Sequence, residues 1–173
     1  MPTIDRTVID SFGPTQSTMV WNGSTLPIYG TLEKADNYFA SMLEGQLWAY
    51  KDRDLRMRAL VSATKRIDRL NFIGEQADAE QPLQFPRGTD TLVPVEIEQA
   101  CYEVAYALLK GVDLDTERDN LSMTVQAFGG LRSEHDRSIV PLYLASGIPS
   151  ATAWDLLLPY LQGRRGLQME RLS

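Results

Sequence analysis

Few residues in this chain have the types that carry covalent or metal chemistry. There is one histidine, His135, in the polar run Ser133-Glu134-His135-Asp136-Arg137, and one cysteine, Cys101. A single histidine would have to serve every Ser–His–Asp or Cys–His arrangement, and one His with one Cys makes no zinc set of the usual kind. A single cysteine also excludes a disulfide within the chain, and its place on an apolar helical stripe reads as a buried thiol. Carboxylates occur in pairs, Glu96 with Glu103 and Asp113 with Asp115, positions that read as solvated helix faces and loops. Asp113, Asp115, Glu117 and Asp119 alternate as in a cation loop, but lack the glycine and closing glutamate of an EF-hand. Gly129-Gly130 is not a phosphate cradle, because no Lys–Ser/Thr and no helix start follow it. Arg87, after Pro86, is the best single candidate for a specific role: holding helix-end carbonyls or a carboxylate such as Asp68. No catalytic, cofactor-binding or metal-ligating residue is expected, and the chain reads as a non-enzyme.

The elements that position these residues are mostly helical. The central stretch runs from Asp52 to Arg87. Ala59, Leu60, Ala63, Ile67 and Leu70 recur there at helical spacing, with Arg53, Arg56, Arg58, Lys65, Arg66 and Arg69 between them. Asp52 is the expected N-cap, and Asn71 and Gly74 the expected stop. Thr31 to Leu43 predicts an earlier helix with Leu32, Ala35, Phe39 and Met42 as its buried stripe, Leu43 beside it, and Gly45 ending it. Trp48 and Tyr50 follow in a short connection. Pro94 to Lys110 predicts another helix, with Pro94 in its first turn, Ile97, Ala100, Cys101, Val104, Ala105 and Leu108 buried, and Gly111 as the stop. Ser150 to Leu161 predicts the last, closed by Pro159. The loop from Glu75 to Thr91 is long for a compact domain. It is expected to lay an extended Leu83 to Phe85 across the bundle; the alternative is that part of it, Glu75 to Glu80, lies against an adjacent subunit.

Between Leu121 and Ser133 the period changes to two, and Gly129-Gly130 permits a tight hairpin turn. Such a hairpin is marginal alone and needs a sheet or a partner. Residues 1–29 read as an extended arm with one short strand near Thr18 to Trp21. Residues 162–173 read as a tail, basic through Arg164, Arg165 and Arg171.

The fold class expected is therefore mainly α: one domain over residues 1–173. It consists of a small bundle of about four helices at 30–161, a short hairpin near 121–135, and extended terminal arms. Hydrophobic residues make up 43% of 173, enough for one sizeable core. The formal net charge of −6 counts against strong non-specific nucleic-acid binding, which needs a surplus of Lys and Arg. No run approaches the ~18 apolar residues of a membrane span, and Asp5, Arg6 and Asp10 interrupt any signal-like core at the start.

The pattern Ala59-Leu60, Ala63-Thr64, Ile67-Asp68, Phe72, Gly74, Gln81, Leu83 and Phe85-Pro86-Arg87 resembles a family of small phage head–tail connector, or adaptor, proteins. Leu32 to Phe39, Trp48 and the helix from Val95 to Leu109 fit the same pattern. Many members carry the label DnaT-like single-stranded DNA-binding protein. The resemblance spans Tyr29 to Leu161 and includes a short β segment where the hairpin is expected.

The resemblance implies a structural protein of the virion neck, assembled in the host cytoplasm. Its copies would form a cyclic ring of about twelve, matching a twelve-fold portal. Its partners would be the portal protein and the tail terminator, stopper or tail-tube proteins, and genome DNA would pass through the ring without being read. No cofactor and no membrane are implied. Portal contact is expected from the tail residues Arg164, Arg165, Leu167, Met169 and Arg171. Contact between subunits is expected from Trp21, Val125, Phe128, Gly129 and Gly130. The competing function is a single-stranded nucleic-acid-binding module using Lys65, Arg66 and Arg69 with exposed aromatics.

Overall fold

The computed structural model describes residues 16–21, 23–114, 116–117, 125–128, 131–134 and 141–162, with backbone alone at 21, 125–128 and 131–134. The fold is mainly α. The sequence expectations at His135, Asp115, Asp119, Gly129, Gly130 and the tail residues Arg164, Arg165, Leu167, Met169 and Arg171 fall outside the described residues.

The first described element is a hairpin rather than a lone strand. β1 (Ser17–Trp21) pairs antiparallel with β2 (Ser24–Ile28), with Met19 opposite Leu26. Met19, Ile28 and Tyr29 are buried in the common core, so the segment expected to be an extended arm contributes to that core from Ser17 onward. The sequence signal was the Asn22-Gly23 dipeptide between two branched, alternating runs, a strong hairpin mark. Gly23 has φ +78, which a tight primed turn requires.

α1 (Leu32–Ala40) is capped by Thr31, whose hydroxyl accepts from the Lys34 amide at 3.1 Å. It ends three residues earlier than expected. Met42 and Leu43 do not join the buried stripe; Leu43 is 96% exposed. The chain turns outward at Ser41 and comes back so close that a Cβ on Gly45 would overlap the Phe39 carbonyl. A short helix, α2 (Gln46–Tyr50), then places Trp48 where Met42 was expected, stacked on Phe39 at 4.7 Å between ring centres. Tyr50 stays in solvent.

α3 (Arg53–Ile67) is capped by Asp52, which accepts from the Asp54 amide at 3.0 Å. Ala59, Leu60, Ala63 and Ile67 face inward as expected, joined by Met57 and Thr64. The helix stops short of Asn71 because Asp68, its C-cap, turns its side chain to the following loop. α4 (Val95–Leu109) is the central helix. It packs on α1, on α3 and on the last helix, and Tyr102, Tyr106 and Ala107 are buried beside the expected face. A helix enclosed on three sides loses its one-sided stripe. Pro94 precedes this helix as its N-cap rather than sitting in the first turn. At the far end Gly111, φ +83, donates to Leu108 O and Val112 donates to Ala107 O, the paired closure that a left-handed glycine permits.

β3 (Val125–Phe128) and β4 (Leu131–Glu134) pair antiparallel where the alternation placed a hairpin, with Phe128 opposite Leu131. No other described strand joins this sheet. The short α5 (Leu142–Ala145) follows Pro141, and α6 (Ala151–Leu157) begins at Ser150, whose hydroxyl accepts from the Ala153 amide at 3.2 Å. A 3-10 turn, Leu158–Tyr160, carries Pro159 and leads to Leu161, which bridges to Phe72.

Candidate interaction surfaces and the junction beneath them

The loop after α3 is held by a polar junction under its apolar run. Leu83, Phe85 and Pro86 are buried, and the Phe85–Pro86 bond is cis. Phe85 meets Tyr29, Phe72 and Tyr160 edge-on, with ring centres 4.7 to 6.2 Å apart. The Tyr29 hydroxyl donates to Asp68 Oδ1 at 2.6 Å, and the Gln84 amide donates to the same oxygen at 2.7 Å. The Tyr29 amide donates to Thr64 Oγ1 at 3.1 Å, and Thr64 in turn lies 3.4 Å from Cys101 Sγ. One chain of contacts thus ties the β1–β2 hairpin, α3, the loop and α4. Burial, then the Asp68 carboxylate, raises the Tyr29 phenol well above its ordinary value, so it stays a donor.

Gly30, with φ +77, follows Tyr29, and a Cβ there would collide with the Tyr102 ring. That close approach lets the hairpin enter the core.

Arg87 holds main-chain carbonyls, though not the helix-end ones expected of it. Its Nε donates to Ile73 O at 2.9 Å and its Nη2 to Phe72 O at 3.4 Å and to Gly74 O. Its Nη1 donates to Gln84 O at 3.1 Å and to Gln84 Oε1 at 2.8 Å. These are carbonyls of the chain just past α3 and of the loop. Asp68 is not its partner: that carboxylate accepts from Tyr29 and Gln84 at Oδ1. Gln81 and Gln76 both donate to Leu83 O, at 2.6 and 2.9 Å. The polar members of the sequence pattern, Asp68, Gln81 and Arg87, therefore bind this chain's own backbone and build a scaffold.

The carboxylates on α4 are also engaged. Glu96 accepts from the Tyr160 hydroxyl at 3.0 Å, Glu103 from the Tyr38 hydroxyl at 2.9 Å, and Glu98 takes Lys34 at 2.8 Å. Glu96 lies on the exposed face expected of it while meeting Tyr160, and Glu103, half-buried, meets Tyr38 at a separate place. Among the described residues no group of three or more His, Cys, Asp or Glu is placed to hold a metal, and no helix is long and apolar enough to cross a membrane.

Burial pushes the Cys101 thiol up from an ordinary 9.0 to about 12, the Thr64 hydroxyl pulling weakly the other way. Unfolded, this thiol ionises near 9; folded, it keeps its proton. The native state then binds more protons than the unfolded one through that window. The contribution of this thiol to stability is full below about pH 9 and is lost as pH rises toward 12. The urea midpoint should therefore drop between about pH 9 and 10, below the ordinary tyrosine range, and Cys101→Ala should flatten that slope. A native thiol that reacts with a disulfide reagent at the unfolded rate would contradict this.

Three surfaces remain. At one end of the molecule Met42 and Leu43 flank Glu44, whose carbonyl accepts from the Tyr106 hydroxyl near the end of α4. Met42 and Leu43 are exposed there; Tyr50 and Leu55 are also exposed on the molecule. At the start of α4, Leu92 and Val95 are exposed, beside Glu96 and its partner Tyr160. Exposed Ile73 is tied to the same place, its amide donating to Tyr160 O at 2.8 Å. The third surface is a groove of about 310 Å³ between Leu26 and Pro27 of β2, Val61 and Lys65 of α3, Arg69 just past its end, and Pro82 and Leu83 of the loop. Of the three basic residues expected to offer charge, Lys65 and Arg69 are exposed at this groove. Arg66 is half-buried and donates to Gly147 O at 3.1 Å.

The subunit-contact residues expected from sequence are only partly placed. Trp21 lies in β1, and Val125 and Phe128 lie in β3, the strands of two separate hairpins. Sequence reasoning missed Tyr29, Thr64 and Asp68 as a joined set. The periodicity marks Thr64 only as a polar residue beside the α3 stripe, and nothing local links it to Tyr29. A family model described as "Putative DnaT-like ssDNA binding protein" matches residues 22–171. No curated protein and no solved structure matches the chain.

Proposed function

The chain belongs to this DnaT-like family, and on that premise we propose that it is a structural subunit of a phage neck. It would act as an adaptor ring joining the portal to the tail or to the next neck component during head completion. The observation that carries this reading is the β3–β4 hairpin, a two-stranded sheet that no other described strand extends. Two strands alone are marginal in water, and a neighbouring copy is the partner at hand. Exposed apolar residues at both ends of α4 offer the two different patches that a head-to-tail ring needs. The resemblance to connector proteins supplies the portal and the tail terminator, stopper or tail-tube proteins as partners. It also supplies a copy number of about twelve and a location in the virion neck. The ring acts by contact, without cofactor or catalysis, and genome DNA passes through it.

The family description favours a second reading, a single-stranded DNA-binding module. Lys65 and Arg69 at the groove support it. Against it stand the net charge of −6 and the use of most described rings as core: Tyr29, Phe39, Trp48, Phe72, Phe85, Tyr102, Tyr106 and Trp154 are buried. Strand binding needs exposed stacking platforms and a positive groove together.

The test separates the readings in one set of samples. Portal rings are mixed with the full chain and with a chain lacking residues 163–173, the tail that bears Arg164, Arg165, Leu167, Met169 and Arg171. Full-length protein should attach; the truncated protein should melt at the same temperature and attach weakly or not at all. Arg164→Glu with Arg165→Glu should weaken attachment and reduce its salt sensitivity. In parallel, an oligothymidylate should show no saturable binding at about 0.1 M salt. Tight binding that collapses steeply as salt rises would favour the second reading.

A further inference from the structure

The groove between β2, α3 and the loop is built like a site but is covered by none of the described residues. Leu26, Val61, Pro82 and Leu83 give it apolar walls, and Lys65 in α3 and Arg69 just past the helix end give it a cationic rim. Its one carboxylate, Asp68, keeps its charge while accepting from the neutral donors Tyr29 and Gln84, and the two cations Lys65 and Arg69 outweigh it, so the lining is cationic on balance. The described chain begins beside it. Gln16 Nε2 donates to Phe85 O at 2.7 Å, two residues along the loop from Leu83. Ser17 pairs with Ile28, next to Pro27 of the groove.

We infer that this groove is the docking site of the chain's own first fifteen residues, with Ile9 and Phe12 on its apolar walls and Asp10 against Lys65 and Arg69. The sequence there is Met1-Pro2-Thr3-Ile4-Asp5-Arg6-Thr7-Val8-Ile9-Asp10-Ser11-Phe12-Gly13-Pro14-Thr15. It offers an acid flanked by apolar residues, the complement of a cationic rim over an apolar floor. Gly13-Pro14 supplies a turn signal between Phe12 and the anchored Gln16. The four residues from Phe12 to Gln16 span up to ~13 Å, which reaches the Leu83 wall from Phe85. A segment tethered at the rim of its site meets it at a millimolar effective concentration, well ahead of any free competitor. This inference goes beyond the ring reading and does not depend on it.

The experiment uses the full chain. Cys101 is buried, so Ser11→Cys takes a nitroxide label selectively, and amide intensities are compared with the label oxidised and reduced. The amides of Leu26, Val61, Lys65, Arg69 and Leu83 should lose roughly half or more of their intensity, as for a label held in place by its tether. Asp10→Lys, or Lys65→Glu with Arg69→Glu, should restore most of it without changing the melting midpoint. Broadening elsewhere, or none, overturns the inference. So does broadening that appears only when labelled, isotopically silent chains are mixed with unlabelled ones, which assigns the groove to a neighbour's arm. An oligothymidylate that shifts the groove amides while the Ser11 label leaves them sharp also overturns it and assigns the groove to nucleic acid. Attachment to portal rings is unaffected by any of these outcomes, so failure here is distinct from failure of the ring reading.

Discussion

Ile67→Asp should leave no folded protein at 25 °C. Ile67 is fully buried in the last turn of α3, against the start of α4 and beneath the loop. A carboxylate there would be shut off from solvent. It costs several kcal/mol as an uncompensated buried charge, added to about 2–5 kcal/mol for the lost apolar packing. Domains of this size hold about 5–15 kcal/mol in total. Ala63→Trp, at another fully buried α3 position, acts by overpacking and costs about 1–3 kcal/mol or more. Far-ultraviolet circular dichroism against temperature reads both. Lys65→Asp, two residues from Ile67 and exposed, is the control and should move stability by no more than about 0.5 kcal/mol. A cooperative melt of Ile67→Asp at the parent midpoint would contradict the assignment of this helix face.

Arg87→Met should destabilise by about 2–4 kcal/mol, the range for losing charge-assisted hydrogen bonds and leaving part-buried carbonyls without donors. The guanidinium gathers carbonyls from Phe72, Ile73, Gly74 and Gln84 and lies over the Phe72 and Phe85 rings, 5.9 and 5.8 Å from their centres. Methionine keeps the apolar stem and removes every donor. Arg87→Lys restores one point charge and not the planar fork, so it should recover only a minor share. Urea unfolding gives both numbers. If Lys matches Arg, the residue acts as a charge and the carbonyl geometry is incidental. Hydrogen exchange should localise the loss to 72–88, leaving α4 protected until global unfolding.

The helices of the core were legible because their apolar residues repeat at helical spacing and their caps are local. Asp52, Thr31 and Ser150 each act within their own first turn. What failed was non-local. Met42 and Leu43 continue the α1 period, yet Trp48 fills that place after a sharp return at Gly45. Pattern alone cannot rank two candidates for one space. The β1–β2 hairpin was locally signalled at Asn22-Gly23, but its docking depends on Tyr29 reaching Asp68 and Thr64, more than thirty positions away. Arg87 was legible as a holder of carbonyls. Its separation from Asp68 was not, since that depends on how the loop folds back past α3, with Asp68 meeting Tyr29 and Gln84 instead. The tail residues expected to meet the portal, and the glycines at the hairpin turn, lie outside the described residues.

The central claim is tested most directly by a reconstruction of the neck of the virion that carries this chain. The account predicts a ring of about twelve copies between portal and tail, with the β3–β4 hairpin of each copy paired to its neighbour. A neck holding this protein in single copy, or virions from which it is absent, would contradict the account.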